Sequence, residues 1–349
     1  MKAGLLDLID HAVAGGWSGR RAALLLGLDT DRVTRWRGRG PDLLDDATGG
    51  VALHGLLDWE RAAIVDLFDG WGELDRSHRK LAHRGSRLGV VHVSASTVRR
   101  VLAAENLVLP GNPARDPVPR RPFPDWLEWK PKRVWAYDFT HFTAAHRCAV
   151  AILDLVSRKW ITTLVSAEES STQVEVAFLA ALQVEGLLAD ADAAATAALR
   201  AALCSGDRDA LTDAVSSGQP PLLLAVSDNG PQMRSHTTRE FMAGVAIAQH
   251  FGRPSTPTDQ AWIETLFGHT KGEHPHLEKI TDPGTLDAEL ERVREHYNTV
   301  RLHAGLGYVT PDDEHEGRGD AIRQARRDGL ARARQARIDY RRNQRNPQP

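Results

Sequence analysis

Cysteine is scarce in this 349-residue chain, which has only Cys148 and Cys204. Two isolated thiols neither build a disulfide framework nor make a zinc site, which fits a reducing compartment. Long apolar runs are lacking as well. None approaches the roughly 18 residues that a membrane span requires. The opening MKAGLLDLIDHA is too acidic, and its apolar core too short, for a signal peptide. The expectation is a cytoplasmic protein with no membrane segment. The fifteen histidines are irregularly spaced. His269, His274 and His276 cluster most closely, yet no cysteine joins them, so zinc is not the favoured reading there.

Net charge is also nearly absent, at −2, but its distribution is uneven. Residues 17–39 carry six Arg against two Asp, and residues 71–105 seven Lys/Arg against three acids. Residues 318–349 carry ten Arg against three acids, whereas 186–220 hold five Asp and two Arg. Separated basic patches suit a polyanion bound at several places, although solvated helix faces would give the same pattern.

This length predicts two or three domains. In GRRAALLLGLDTDRVTRWRGRG (19–40) a short helix with Ala22, Ala23 and Leu26 ends at Gly27, and a second begins after Thr30 with Val33 and Trp36 inward. A thin first helix and a tight glycine turn are what a helix-turn-helix needs. Arg32, Arg35 and Arg37 then lie on the outer face of the recognition helix, within reach of phosphates or guanine edges. Residues 76–106 form a second basic hairpin. Ser94 or Ser96 caps its last helix, Val98, Val101 and Leu102 form the buried stripe, and Arg99 and Arg100 stand beside it. The segment 108–126 has six prolines in 19 residues and reads as a linker.

Beyond it the period becomes strand-like. RVWAYDFTHF (133–142), CAVAILDLVS (148–157) and WITTLVSAE (160–168) follow at hairpin distance. A helix is expected at 170–188, strands at 221–227 and 245–252, and helices at 237–243 and 259–275. This order predicts a mixed five-stranded α/β sheet with helices on both faces.

Three carboxylates stand out by position. Asp138 sits between aromatics in the first strand, where an uncompensated charge is expensive. Asp228 ends the fourth strand at SDNGPQM, where Asn229-Gly230-Pro231 breaks the chain; ordinary turn chemistry explains that stretch equally well when it is read alone. Glu264 lies one turn into the last helix of the sheet domain. If the first and fourth strands are neighbours, the aspartates come side by side with Glu264 opposite them. Such oxygen ligands suit Mg²⁺ or Mn²⁺, and two such ions promote in-line displacement at phosphorus.

Between Asp228 and Glu264 lie 35 residues, and Lys271 follows seven after Glu264 on the same helix face. With VWAYDFTHF, SDNGPQM, PTDQAWIETLFGHTKGE and YNTVRLHAGLGYVTP (297–311), the chain resembles the DDE transposases of bacterial insertion sequences, which share a retroviral-integrase core. The resemblance covers about 75–314. It implies a ribonuclease-H-like sheet, a metal-binding catalytic triad of Asp138, Asp228 and Glu264 with two divalent ions, and a DNA-end contact at Lys271. It also implies double-stranded terminal-repeat and target DNA as partners, a homo-oligomer of at least two chains, and a place at the bacterial nucleoid. The expected domains are a helix-turn-helix domain at 1–70, a second such module at 71–107, a linker at 108–130, the core at 131–314 and a basic helical tail at 315–349, solvated when free and laid along phosphates when DNA is bound.

The interval from Asp138 to Asp228, 89 residues, is longer than the resemblance leads one to expect, and an Ala-rich insertion at about 186–220, holding eleven Ala, accounts for it. Arg301 and His303 are open between DNA contact and bracing of the core, while Trp262 is read as packing. Two other functions are weighed: a domesticated DNA-binding regulator that keeps the fold, and a ribonuclease-H-like nuclease of RNA–DNA hybrids. The intact triad and Lys271 count against the first. The two helix-turn-helix candidates, which favour duplex DNA, count against the second.

Overall fold

Helical periodicity at the N-terminus becomes three helices, α1 (Lys2–Ala14), α2 (Gly19–Leu25) and α3 (Thr30–Gly38). The computed structural model describes residues 2–39, 52–107, 122–206, 220–252 and 261–345, and the chain divides into two units, Met1–Gly55 and Leu56–Pro349. In the first unit Ser18 caps α2, its hydroxyl accepting from the Arg21 amide at 3.3 Å. Asp29 caps α3 by accepting from the Asp31 amide at 2.7 Å. Gly27 turns the chain at φ +67°. Ile9, Ala22, Ala23, Leu28 and Val33 form the small core, where the two alanines let the helices approach closely.

The second unit begins with α4 (Asp58–Trp71), α5 (His78–Arg87) and α6 (Ala95–Ala104). Ile64 and Leu67 of α4 are buried with Leu81, Val98 and Leu102 of the hairpin. This corrects the expected boundary at 70/71: the units divide at 55/56, because the apolar stripe of α4 has its partners in α5 and α6. Ser94 is the cap of α6, accepting from the Thr97 amide at 3.2 Å.

The sheet is built from β1 (Val134–Phe142), β2 (Arg147–Asp154), β3 (Trp160–Ser166), β4 (Leu223–Ser227) and β5 (Ile247–Phe251), in the order β3-β2-β1-β4-β5. The first three strands form an antiparallel meander, while β1–β4 and β4–β5 pair in parallel. This is the mixed five-stranded sheet of the ribonuclease-H-like fold. Period-two alternation splits β1 between two cores. Trp135 and Tyr137 face α7 (Ser171–Val184), α8 (Leu188–Ser205), α9 (Pro231–Arg234) and α10 (His236–Gly244). Val134, Ala136 and Phe142 face α11 (Ala261–Glu273) and α12 (Pro283–Thr299). Of the Ala-rich insertion, α8 packs onto this sheet through Ala191, and residues 207–219 lie outside the described residues. Of the linker, 108–121 likewise lie outside them, while Phe123 and Leu127 pack on the α11–α12 side.

The post-core motif is bracing. Asn298 is buried and both accepts from the Trp160 amide (2.9 Å) and donates to its carbonyl (2.8 Å), fixing α12 to β3. After α13 (Pro311–His315) comes α14 (Gly319–Arg345). The expected tail, solvated when free, is instead a docked helix in the same compact unit as the core. Arg337 reaches the buried Glu60 carboxylate of α4 at 2.8 Å, and Arg326 donates to the carbonyls of Gly307 and Tyr308. One face of α14 thus has specific partners, and a solvated tail would forgo them. Among the described residues no helix is long and apolar enough to cross a membrane.

Candidate active site

Parallel register brings the two aspartates together. Val134 pairs with Leu224 and Ala136 with Val226, so two residues further along Asp138 stands beside Asp228, just past the end of β4. Asp138 lies on the same side of β1 as Ala136, the side covered by α11, and Glu264 is in the first turn of that helix. The Asp138 carboxylate accepts from the Phe139 amide at 2.8 Å. Asp228 accepts from the Gly230 amide at 2.8 Å, and Asn229 donates to the Gly252 carbonyl, so SDNGPQM is a braced turn. A side chain at 230 would have its Cβ 2.9 Å from an Asp228 carboxylate oxygen, so glycine keeps that carboxylate in place.

Burial pushes the Asp138 carboxyl up to about 7, and the nearby Asp228, Glu264 and Glu169 carboxylates add to the rise against the Phe139 amide. Half-buried negative charge of this density calls for a cation. The donors are all carboxylate oxygens, the set that Mg²⁺ or Mn²⁺ prefers, so the residues fit a divalent ion. Among the described residues no three His, Cys, Asp or Glu side chains are closed into a ligand cage. The triad carboxylates are within electrostatic reach of one another rather than drawn together.

Glu169 was not singled out from the sequence. It follows β3, lies 2.9 Å from the His141 ring of β1, and accepts from Gln232 of the SDNGPQM stretch at 3.4 Å. Its only sequence signal is an acidic pair where a strand ends. Lys271 turns toward the protein: its ammonium donates to the His141 carbonyl at 2.6 Å and pairs with Glu278 at 2.7 Å. Arg301 is bracing, with a side chain only 8% exposed and a two-pronged bond to Glu273 at 2.9 and 3.0 Å. His303 is also structural, accepting from the Gly305 amide at 3.2 Å. Trp262 stacks near Phe123, which is packing. His269 and His276 each face a carboxylate, Glu273 and Glu289. Arg32, Arg35 and Arg37 are exposed on α3, with Arg37 paired to Asp10, and Arg99 and Arg100 are exposed on α6.

Parts of the chain are similar to known proteins. The model of the integrase core domain matches residues 245–311, the stretch that carries β5, Glu264, Lys271 and the post-core motif. The transposase for insertion sequence element IS904 of Lactococcus lactis subsp. lactis (strain IL1403) is 28% identical over 110 residues, 30% of this chain and 43% of that relative. The match therefore spans less than half of the relative's length. Among solved structures, the simian T-cell lymphotropic virus intasome in complex with PP2A regulatory subunit B56 gamma is similar at TM-score 0.41 and 17% identity, covering 64% of this chain and 68% of that one. The catalytic core domain of BIV integrase is similar at TM-score 0.36 and 18% identity, over 53% of this chain and 94% of that one. The magnesium complex of the HTLV-2 integrase catalytic core domain, in its dimeric form, is similar at TM-score 0.35 and 20% identity, over 53% and 97%.

By the domain matched over residues 245–311 and by its sheet order, the chain is similar to integrase-core proteins. Within that class, its resemblance is to the DDE transposases of bacterial insertion sequences.

Proposed function

We propose that this chain is a DNA transposase that binds the terminal inverted repeats of an element and cuts and joins DNA strands at Asp138, Asp228 and Glu264. The observation that carries the reading is the register of β1 and β4, which sets Asp138 beside Asp228 with Glu264 near enough to raise the Asp138 carboxyl. Two Mg²⁺ or Mn²⁺ ions, when bound, would supply an activated oxygen nucleophile and stabilise the leaving oxygen at phosphorus. The three carboxylates would hold those ions and so fix where the scissile phosphate lies. Cleavage by water and joining by the freed 3′-hydroxyl are both in-line displacements, so no protein nucleophile is needed.

The remaining roles follow from charge and exposure. Arg32, Arg35 and Arg37 on α3 take base edges and phosphates, and Arg99 and Arg100 on α6 take phosphates. Lys271 exchanges the His141 carbonyl and Glu278 for a phosphate of the DNA end. Two element ends must be brought together, so the working form is an oligomer on duplex DNA. The test is Asp228→Asn, which removes one ligand charge with almost no change of shape. It should reduce Mg²⁺-dependent cleavage and joining of terminal-repeat DNA by at least 10³-fold while leaving binding of that DNA within about twofold. Undiminished cleavage would sink the assignment.

A further inference from the structure

Glu264 is exposed, so its position is set by the helix that carries it. Among the attachments that hold α11, three are spread along its length. Ile263, Leu266 and Thr270 bury one stripe of it. Lys271 fastens its third turn to the β1 backbone through the His141 carbonyl. At its last residue, Glu273 is gripped by both prongs of the Arg301 guanidinium. That grip is built rather than incidental, because Arg301 is 8% exposed at its side chain and its guanidinium lies 5.6 Å from the Tyr297 ring centroid.

The chain of contacts continues into the helical module. The carbonyl of Val300, the residue before Arg301, accepts from Arg84 at 2.9 Å. Arg84 is itself buried, bonded to Asp75 at 2.7 Å and stacked 4.1 Å over Trp71. The α4–α6 module therefore holds the backbone from which Arg301 reaches the catalytic helix. Planar guanidinium forks fix geometry as well as charge, which an ammonium cannot do.

We propose that Arg301 is a positioning residue for Glu264, and that Arg84 ties its setting to the α4–α6 module. This rests on the reading of Asp138, Asp228 and Glu264 as metal ligands. Neither arginine touches that site; Arg301 acts through Glu273 of α11, and Arg84 acts through the Val300 carbonyl beside Arg301.

The experiment measures Mn²⁺ binding to the full chain by electron paramagnetic resonance, alongside melting temperature, in wild type, Arg301→Lys, Glu273→Gln, Arg84→Lys and Asp228→Asn. Arg301→Lys should weaken Mn²⁺ about tenfold at temperatures where the chain is folded, with Arg84→Lys weakening it less. Glu273→Gln, which keeps shape and a neutral acceptor, should fall between wild type and Arg301→Lys; it carries the test if Arg301→Lys does not fold. A lowered melting temperature with wild-type Mn²⁺ affinity in the arginine and glutamine variants would overturn the proposal and leave Arg301 a purely structural brace. Asp228→Asn should lose Mn²⁺ binding. If it binds as wild type does, the metal-site reading itself fails and the positioning role falls with it, by a result distinct from the first.

Discussion

At the scale of single residues, the same side-chain types serve opposite ends. Asp138 sits in the middle of β1, and burial with neighbouring carboxylates drives its carboxyl up to about 7. Glu185 is the contrary case. Burial would raise its carboxyl, but His315 and Lys159 bring it down to about 2. His303 is held neutral, since burial with Arg301 and Arg158 nearby lowers it to about 3 while its Nδ1 accepts from Gly305. The unfolded chain, with histidine near 6.5, takes up that proton first. Stability from His303 is therefore fully present above pH 6.5 and is lost as pH falls toward about 3. His83, lowered to about 4 by burial, adds to the loss in the same direction. We predict that urea stability falls by a few kcal/mol between pH 6.5 and 4. His303→Asn, which keeps an acceptor for Gly305 and cannot titrate, should flatten part of that slope. An unchanged slope would mean that His303 is not buried neutral.

At the scale of elements, α14 shows how far a basic helix can be misread. Its charge suggests a phosphate-binding tail, yet Arg326, Gly329, Ala333 and Arg337 lie along one face and three of these are buried. Gly329 marks the closest approach. A Cβ there would sit 2.4 Å from the Nδ1 of His92, a ring within hydrogen-bonding distance of Ser86 at 3.3 Å. Alanine is the better helix former by about 1 kcal/mol, so Gly329→Ala should raise the helicity of an isolated α14 peptide. In the whole chain the sign reverses, and we predict a loss of about 1–2 kcal/mol by urea denaturation as His92 is displaced. Adding His92→Ala should restore most of it. Without that rescue, the clash is not the cause.

At the scale of the whole molecule, the module, the sheet domain and α14 form one unit. Buried pairs far apart in sequence hold it together, among them Arg337–Glu60 and Arg84–Asp75 with its bond to Val300. Removing one partner of such a pair leaves a buried charge. Glu60→Ala should therefore cost about 3–5 kcal/mol, and α4–α6 and the sheet should unfold in a single shared transition by hydrogen exchange. Separate transitions for the module and the sheet in wild type would contradict a single unit.

Period and punctuation in the sequence determined the local elements: the five strands, a serine cap on α6, and the break after Asp228. They also marked Asp138 for attention, because a charge inside VWAYDFTHF is expensive unless something compensates it. Local rules act over a few residues, so they end where partners come from far along the chain. Only the tertiary structure decided that α4 packs with α5 and α6, that Glu169 comes near Asp138, that Lys271 rests on β1, and that Arg326 and Arg337 of α14, Arg84 and Arg301 are braces. A guanidinium reads the same in sequence whether phosphate or a buried carboxylate lies opposite it, and folding alone supplies the partner.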